Sequence, residues 1–210
     1  MTRLAKRLLA FFAAIRRVVR STDPEADWVW IERRAALEHL FGPASDRPLH
    51  AAIPLHLPGG QADVLTFKNH IVGGRLYVTA GLTGPTSTQL PNGRWTQYEL
   101  AICQREDAVW APTAIAHLAS RSLRAPLRPG ETMDLRSAGE SAIAALLFAE
   151  YGSFRLAGRT CGVLLCLGIT ADEMAECLEL GSTVVLERLR GSGVYPFTDL
   201  DRDSFSGGAA

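Results

Sequence analysis

The chain closes on "TDLDRDSF", where Asp199, Asp201 and Asp203 alternate and Thr198, Ser204 and Ser206 stand beside them. Alternate carboxylates on an extended segment share one face. Such a face could hold a hard cation, or could pair an acid with a base. A calcium loop of the EF-hand type needs glycine at its sixth position and a bidentate glutamate at its twelfth. Counted from Asp199, those positions are Ser204 and Ala210. The calcium template therefore fails. The simpler expectation is a turn or cap bond made by Thr198-Asp199, with Arg202 pairing nearby and Asp201 and Asp203 facing solvent.

Other reactive residues form no better pattern. The histidines, His39, His50, His56, His70 and His117, give neither H-E-x-x-H nor H-x-H spacing. His50 and His56 could face one side of an extended segment, but Pro54 lies between them. Cys161 and Cys166 fall on opposite faces of a strand and cannot share a zinc ion. With Cys103 and Cys177 they are expected to be reduced thiols in a cytosolic protein. There is no G-x-S-x-G elbow, and the glycines of "GGRLYVTAGLTG" match no phosphate-binding spacing. No catalytic residue, metal or cofactor is expected.

Charge is distributed unevenly along the 210 residues. Residues 1–20 carry Arg3, Lys6, Arg7, Arg16, Arg17 and Arg20 and no acid; removing these six of the 22 basic residues leaves 16 against 22 acidic ones. An acidic body argues against nucleic acid as partner, because phosphate contacts need clustered Lys and Arg. It suits a basic protein partner. The basic segment itself places Leu4, Leu8, Phe11, Phe12, Ile15, Val18 and Val19 on one helical face. It is too short to span a bilayer. Two roles stay open: contact with an anionic membrane surface, or an extension that packs on the body or stays unstructured.

The elements follow from local signals. Asp23-Pro24 starts a helix that runs to Phe41, where Gly42-Pro43 stops it. "ADVLTF" (62–67) and "RLYVTA" (75–80) form a hairpin around Gly73-Gly74, and 95–104 alternates as a third strand. A helix is expected over 112–123, then buried strands over 141–150 and 161–169. "TADEMAECLELG" carries a capping box, Thr170 with Glu173, and "STVVLERLRG" makes a last helix. Helices at both ends around a run of strands predict an α+β fold: one domain with a mixed, mostly antiparallel sheet flanked by helices, plus the N-terminal amphipathic helix. The expected divisions are 1–22 for the basic segment, 23–205 for the domain and 206–210 for a disordered tail.

Taken in order, "ADVLTF", "YVTAGLTG", "YELAIC", "PGETMDL", "LLCLGITADEM" and "TDLDRDS" resemble the suppressor-of-fused domain in its bacterial form, over roughly residues 27–205. On that resemblance Asp63, Thr79, Gly81, Tyr98, Glu99, Gly130, Thr132, Thr170, Glu173, Thr198, Asp199 and Arg202 match the family pattern, as structural positions. The family often has Leu-Pro after the Y-x-E-L strand. Cys103-Gln104-Arg105 replaces it here, which predicts a longer strand. "PTSTQLPNGRW" after Gly84 also departs and reads as a longer loop.

The resemblance implies protein binding rather than catalysis. The animal member restrains a transcription factor, and bacterial members act mostly as immunity proteins against the toxins of polymorphic toxin systems. The expected partner is then a protein, with a basic toxin domain the first candidate, met in the cytoplasm or at the inner face of the membrane. It would be met on a sheet edge or on loops such as 84–95 and 124–140. Two other readings remain open: a peripheral membrane adaptor using residues 1–20, and a hydrolase built on Glu99, Asp63 and the terminal aspartates.

Overall fold

A computed structural model describes residues 24–51, 55, 61–105, 110–135 and 141–204. The basic segment 1–20, His56 and the tail 206–210 lie outside the described residues. In chain order the elements are α1 (Pro24–Phe41), β1 (Val64–Phe67), β2 (Arg75–Thr79), β3 (Tyr98–Gln104), α2 (Trp110–Ser122), β4 (Thr132–Asp134), β5 (Ile143–Leu156), β6 (Arg159–Thr170), α3 (Ala171–Leu180) and α4 (Ser182–Gly191). The strands form one six-stranded sheet in the order β1-β2-β3-β6-β5-β4. Only β3 and β6 run parallel; every other pair is antiparallel. The fold is the expected α+β domain with a mixed sheet flanked by helices.

Two cores, one on each face, explain the near-continuous apolar strands. Successive side chains of a strand point to opposite faces, so a strand covered on both sides reads as unbroken hydrophobe. On β6, Cys161, Val163, Leu165, Leu167 and Ile169 face the core under α1, α3 and α4. Leu164 and Cys166 face the core under α2. The four cysteines are free and buried, two of them on opposite faces of β6. Helix α1 turns Val29, Arg33, Leu37 and Phe41 inward at four-residue spacing. Its last turn ends at Gly42 (φ 86°), whose amide bonds the Glu38 carbonyl at 2.9 Å.

The long strands depart from expectation in length. Strand β5 continues past 150 to Leu156, and β6 begins at Arg159. Ala157 (φ 48°) and Gly158 (φ 75°) make the tight turn between them. The loss of apolar alternation at Tyr151-Gly152-Ser153 hides this extension in the sequence; a register shift between Glu150 and Gly152 is its structural cause. Strand β3 runs to Gln104, consistent with the loss of the family's proline.

The chain end closes the centre of the sheet. Strands β3 and β6 pair from Tyr98↔Gly162 to Ala101↔Leu165 and no further. Beyond that point Phe197 and Thr198 lie beside β3, with Phe197 bridged to Cys103 and the Thr198 amide donating to the Cys103 carbonyl at 2.8 Å. On the other side the Thr198 hydroxyl accepts from the Gly168 amide at 2.8 Å and donates to the Cys166 carbonyl at 3.4 Å. Its methyl stands where a Cβ on Gly168 would be, at 2.4 Å. Thr198→Val keeps the shape and orphans both β6 groups. It is expected to lower stability by about 1–3 kcal/mol in urea unfolding; an unchanged midpoint would show that water replaces the hydroxyl.

Candidate binding surface

The family-motif residues are placed as internal ties. Glu99 is fully buried on β3. Its carboxylate accepts from the Thr79 hydroxyl (2.7 Å), the Thr83 hydroxyl (2.7 Å) and the amides of Gly81 (3.3 Å), Leu82 (3.1 Å) and Thr83 (3.0 Å). Thr79 also accepts from the Leu100 amide at 2.8 Å. Arg33 of α1 stands 3.5 Å from the same carboxylate and donates to the Thr83 carbonyl and hydroxyl. Nothing in the sequence marks Arg33 for this role, because its partner lies far along the chain. Tyr98 is buried on the opposite face, and its hydroxyl accepts from the Leu127 amide at 2.9 Å.

A second buried carboxylate anchors the chain end. Glu173 and Thr170 form the capping box, with the Thr170 amide donating to Glu173 at 3.0 Å. Arg202 then clamps the Glu173 carboxylate with both terminal nitrogens and donates to the Gly168 carbonyl at 3.0 Å. The tie therefore runs through Thr198 and Arg202, and Arg202 pairs with Glu173. Asp199 is exposed and accepts only a turn bond from the Asp201 amide, at 3.2 Å. Asp201 and Asp203 are exposed.

Asp63 holds a third tie, accepting from the Ala51 amide at 2.8 Å and meeting His50 Nδ1 at 2.8 Å. Gly130 (φ 84°) donates to the Phe148 carbonyl at 2.8 Å, and Thr132 on β4 faces Leu147. The carboxylates of a hydrolase reading are thus not brought together: Glu99 bonds the 79–83 segment, Asp63 the segment at 50–51, and Asp199 its own turn. Among the described residues no group of three or more His, Cys, Asp or Glu could hold a metal ion.

What remains open is a sheet edge. Strand β4 covers β5 only at Ala145–Leu147, and Phe148 still exchanges bonds with Gly130 and Glu131. From Glu150 to Leu156 no described backbone group bonds the side of β5 away from β6. The two-residue turn makes Leu156 and Arg159 the hydrogen-bonded pair that closes the hairpin. Ser153 and Arg155 then turn their amides outward. Beside this edge lies a shallow depression of about 290 Å³ lined by Arg94, Trp95, Glu150, Tyr151, Gly152 and Ser153. Trp95 rests on Gly162, where a Cβ would stand 2.0 Å from the indole. Arg94 pairs with Glu150 at 3.3 Å. Both come from the loop that departs from the family pattern.

Behind the depression, Tyr151 joins a partly buried polar chain. Its hydroxyl meets His70 Nε2 at 3.0 Å and Cys103 Sγ at 3.7 Å. The His70 ring packs edge-on against Phe41 and Tyr151 and bonds the Phe41 backbone. Burial pushes the Cys103 thiol up to about 12 and the Tyr151 hydroxyl upward too, so both stay protonated. Burial also lowers His70 from its ordinary 6.5, against the upward pull of the Phe41 bond.

The fold and the edge define a protein whose buried carboxylates are structural and whose open features are surface ones. The chain belongs to the suppressor of fused protein (SUFU) family, whose model matches residues 60–203. It is similar to the Sufu chain of the Sufu–Fu complex crystal structure, with a TM-score of 0.64 and 13% identity, covering 86% of this chain and 91% of that one. It is also similar to a SUFU homolog from Neisseria gonorrhoeae FA 1090, at TM-score 0.57 and 17% identity over 84% of this chain and 94% of that one. Drosophila Suppressor of Fused matches at TM-score 0.55 and 15% identity over 68% of this chain, which spans only 42% of that longer protein. A search of curated proteins found no match.

Two outcomes are expected. Glu99→Ala leaves Arg33 buried without its counter-charge and should lower stability by about 3–5 kcal/mol in urea unfolding. An unfolded chain takes up a proton at His70 near 6.5 while the folded chain resists it. Stability from this group is therefore complete above that pH, and it falls as the pH drops towards the lower folded value. His70→Gln should flatten that part of the pH–stability curve; an identical slope would assign the fall to other groups.

Proposed function

We propose that this protein is a non-catalytic binding module that acts in the cytoplasm as an immunity protein, neutralising a cognate toxin. The observation that carries the binding reading is the open β5 edge, Glu150 to Leu156, with the Trp95 depression beside it. A partner strand laid there gains main-chain bonds from the outward Ser153 and Arg155 groups, and the depression takes one of its side chains. Family membership and the Sufu chain's presence in a complex with Fu support protein as the ligand class. The excess of acid over base outside residues 1–20 supports a basic toxin domain as the partner, through faster and better-oriented encounter.

The decisive experiment co-expresses this protein with a toxin encoded by a neighbouring gene. Rescue of growth is expected, and continued killing would reject the immunity assignment. Ser153→Pro tests the edge separately, since it removes one outward amide and leaves the hairpin bonds intact. It should weaken partner binding by about tenfold or more with little change in melting temperature. Full affinity in that variant would move the interface elsewhere.

A further inference from the structure

We propose that His70, Tyr151 and Cys103 form a proton-operated latch on the β5 bulge, so that a proton taken up by His70 loosens the edge beside it. That this edge receives a partner strand is the reading given above; the latch itself is a property of the unbound chain. The three groups come from distant parts of the sequence and meet across the sheet. His70 lies in the β1–β2 connection and Cys103 on β3. Tyr151 lies on β5 between Glu150 and Gly152, where the register shifts. His70 Nε2 stands 3.0 Å from the Tyr151 hydroxyl, which stands 3.7 Å from Cys103 Sγ. The ring centroids of Phe41 and His70 are 4.9 Å apart, and each lies 5.8 Å from that of Tyr151. Tyr151 also lines the depression beside the open edge.

The direction of these bonds depends on one proton. The Phe41 backbone bond favours the charged ring, so the Phe41 carbonyl accepts from it. A neutral imidazole has one donor and one acceptor. With its proton committed to Phe41, Nε2 accepts from the Tyr151 hydroxyl, and the Cys103 thiol donates to the hydroxyl oxygen. Every group then has a partner. In the charged ring both nitrogens donate. The Tyr151 oxygen must then accept from Nε2, and its own hydrogen is left with the Cys103 sulfur, a weak acceptor. The thiol hydrogen loses its partner as well. Turning Tyr151 towards the depression relieves this, and it moves the bulge and the Ser153 amide next to it. Nothing else nearby answers the charge. From α1 the ring meets Phe41, while His39 is exposed and Glu38 is engaged by Arg34 and the Ala44 amide. From β5 comes Tyr151 and from β3 Cys103, with Tyr195 acting on the same hydroxyl. Lys68 of the same connection is exposed. Burial opposes the proton, and no carboxylate offsets it. The latch is therefore closed at neutral pH and opens as the pH falls below the ordinary 6.5 of histidine.

The test is a pH titration of the unbound full chain, isotope-labelled and followed by NMR from about pH 8 down to about pH 5. The His70 ring and the amides of Gly152 and Ser153 are expected to shift with one shared midpoint below 6.5. In Tyr151→Phe the ring should still titrate while the amides no longer follow. In His70→Gln the amide shift should disappear. Cys103→Ser gives the reversed hydroxyl a strong acceptor, so it should raise the His70 midpoint by about half a pH unit or more. That variant decides the matter if Tyr151→Phe fails to fold. Amides that stay fixed while His70 titrates, amides that still shift in His70→Gln, or a midpoint that does not rise in Cys103→Ser would overturn the latch. A toxin neutralised on co-expression supplies the second readout. Its affinity should fall several-fold between about pH 7.5 and about pH 5.5 for the unmodified protein and stay level for His70→Gln; equal falls in both would overturn the coupling to binding. Failure to find such a toxin would reject the immunity assignment and leave the NMR titration to decide the latch.

Discussion

A carboxylate with no access to water needs every lone pair answered, and Glu99 is such a group. Its partners are spread over the 79–83 segment and α1, so satisfying it fixes a loop and a helix together. From that fixed loop the chain continues through a two-way clasp between Gly84 and the Gln97 side chain, both bonds at 2.9 Å. Between the clasped ends runs the family-divergent loop, and it delivers Arg94 and Trp95 to the β5 edge. The candidate surface is thus carried on a loop whose roots are held rigidly. Holding a recognition loop on a scaffold of this kind is how binding proteins keep preorganisation while changing specificity.

Much of this was legible from local chemistry. The capping box at Thr170 and Glu173 was readable because its two residues lie within one turn. The β1–β2 hairpin and the end of α1 at Gly42 were marked by glycine. Pairs distant in sequence left no such trace: Arg33 with Glu99, Trp95 on Gly162, Arg202 with Glu173. The second half of β5 was hidden for a different reason. A bulge shifts the alternation at Gly152, so Phe154 and Leu156 fall out of phase with the strand before them. At the chain end the expected turn bond of Asp199 and ion pair of Arg202 are both present, but the distant partners, Glu173 for Arg202 and β3 and β6 for Thr198, left no local trace.

The open β5 edge ends against α1. The β5–β6 turn is tied to Glu32, one turn along α1 from Trp28. The edge is short, polar on its solvent face and ended by a tight turn, features that limit pairing with other copies of itself.

Thr198 has a consequence for how the protein is made. The residue that bridges the two central strands is synthesised about a hundred residues after β3 is complete. A ribosome hides the most recent stretch of chain in its tunnel, so the central seam cannot close until Thr198 has emerged from it. Until then the β3 and β6 ends carry unanswered backbone groups, and the nascent domain is exposed to proteases and to mispairing. A chain that stops before Thr198 should therefore be degraded as unfinished, and the cell would hold in active form only copies that carry the closing segment.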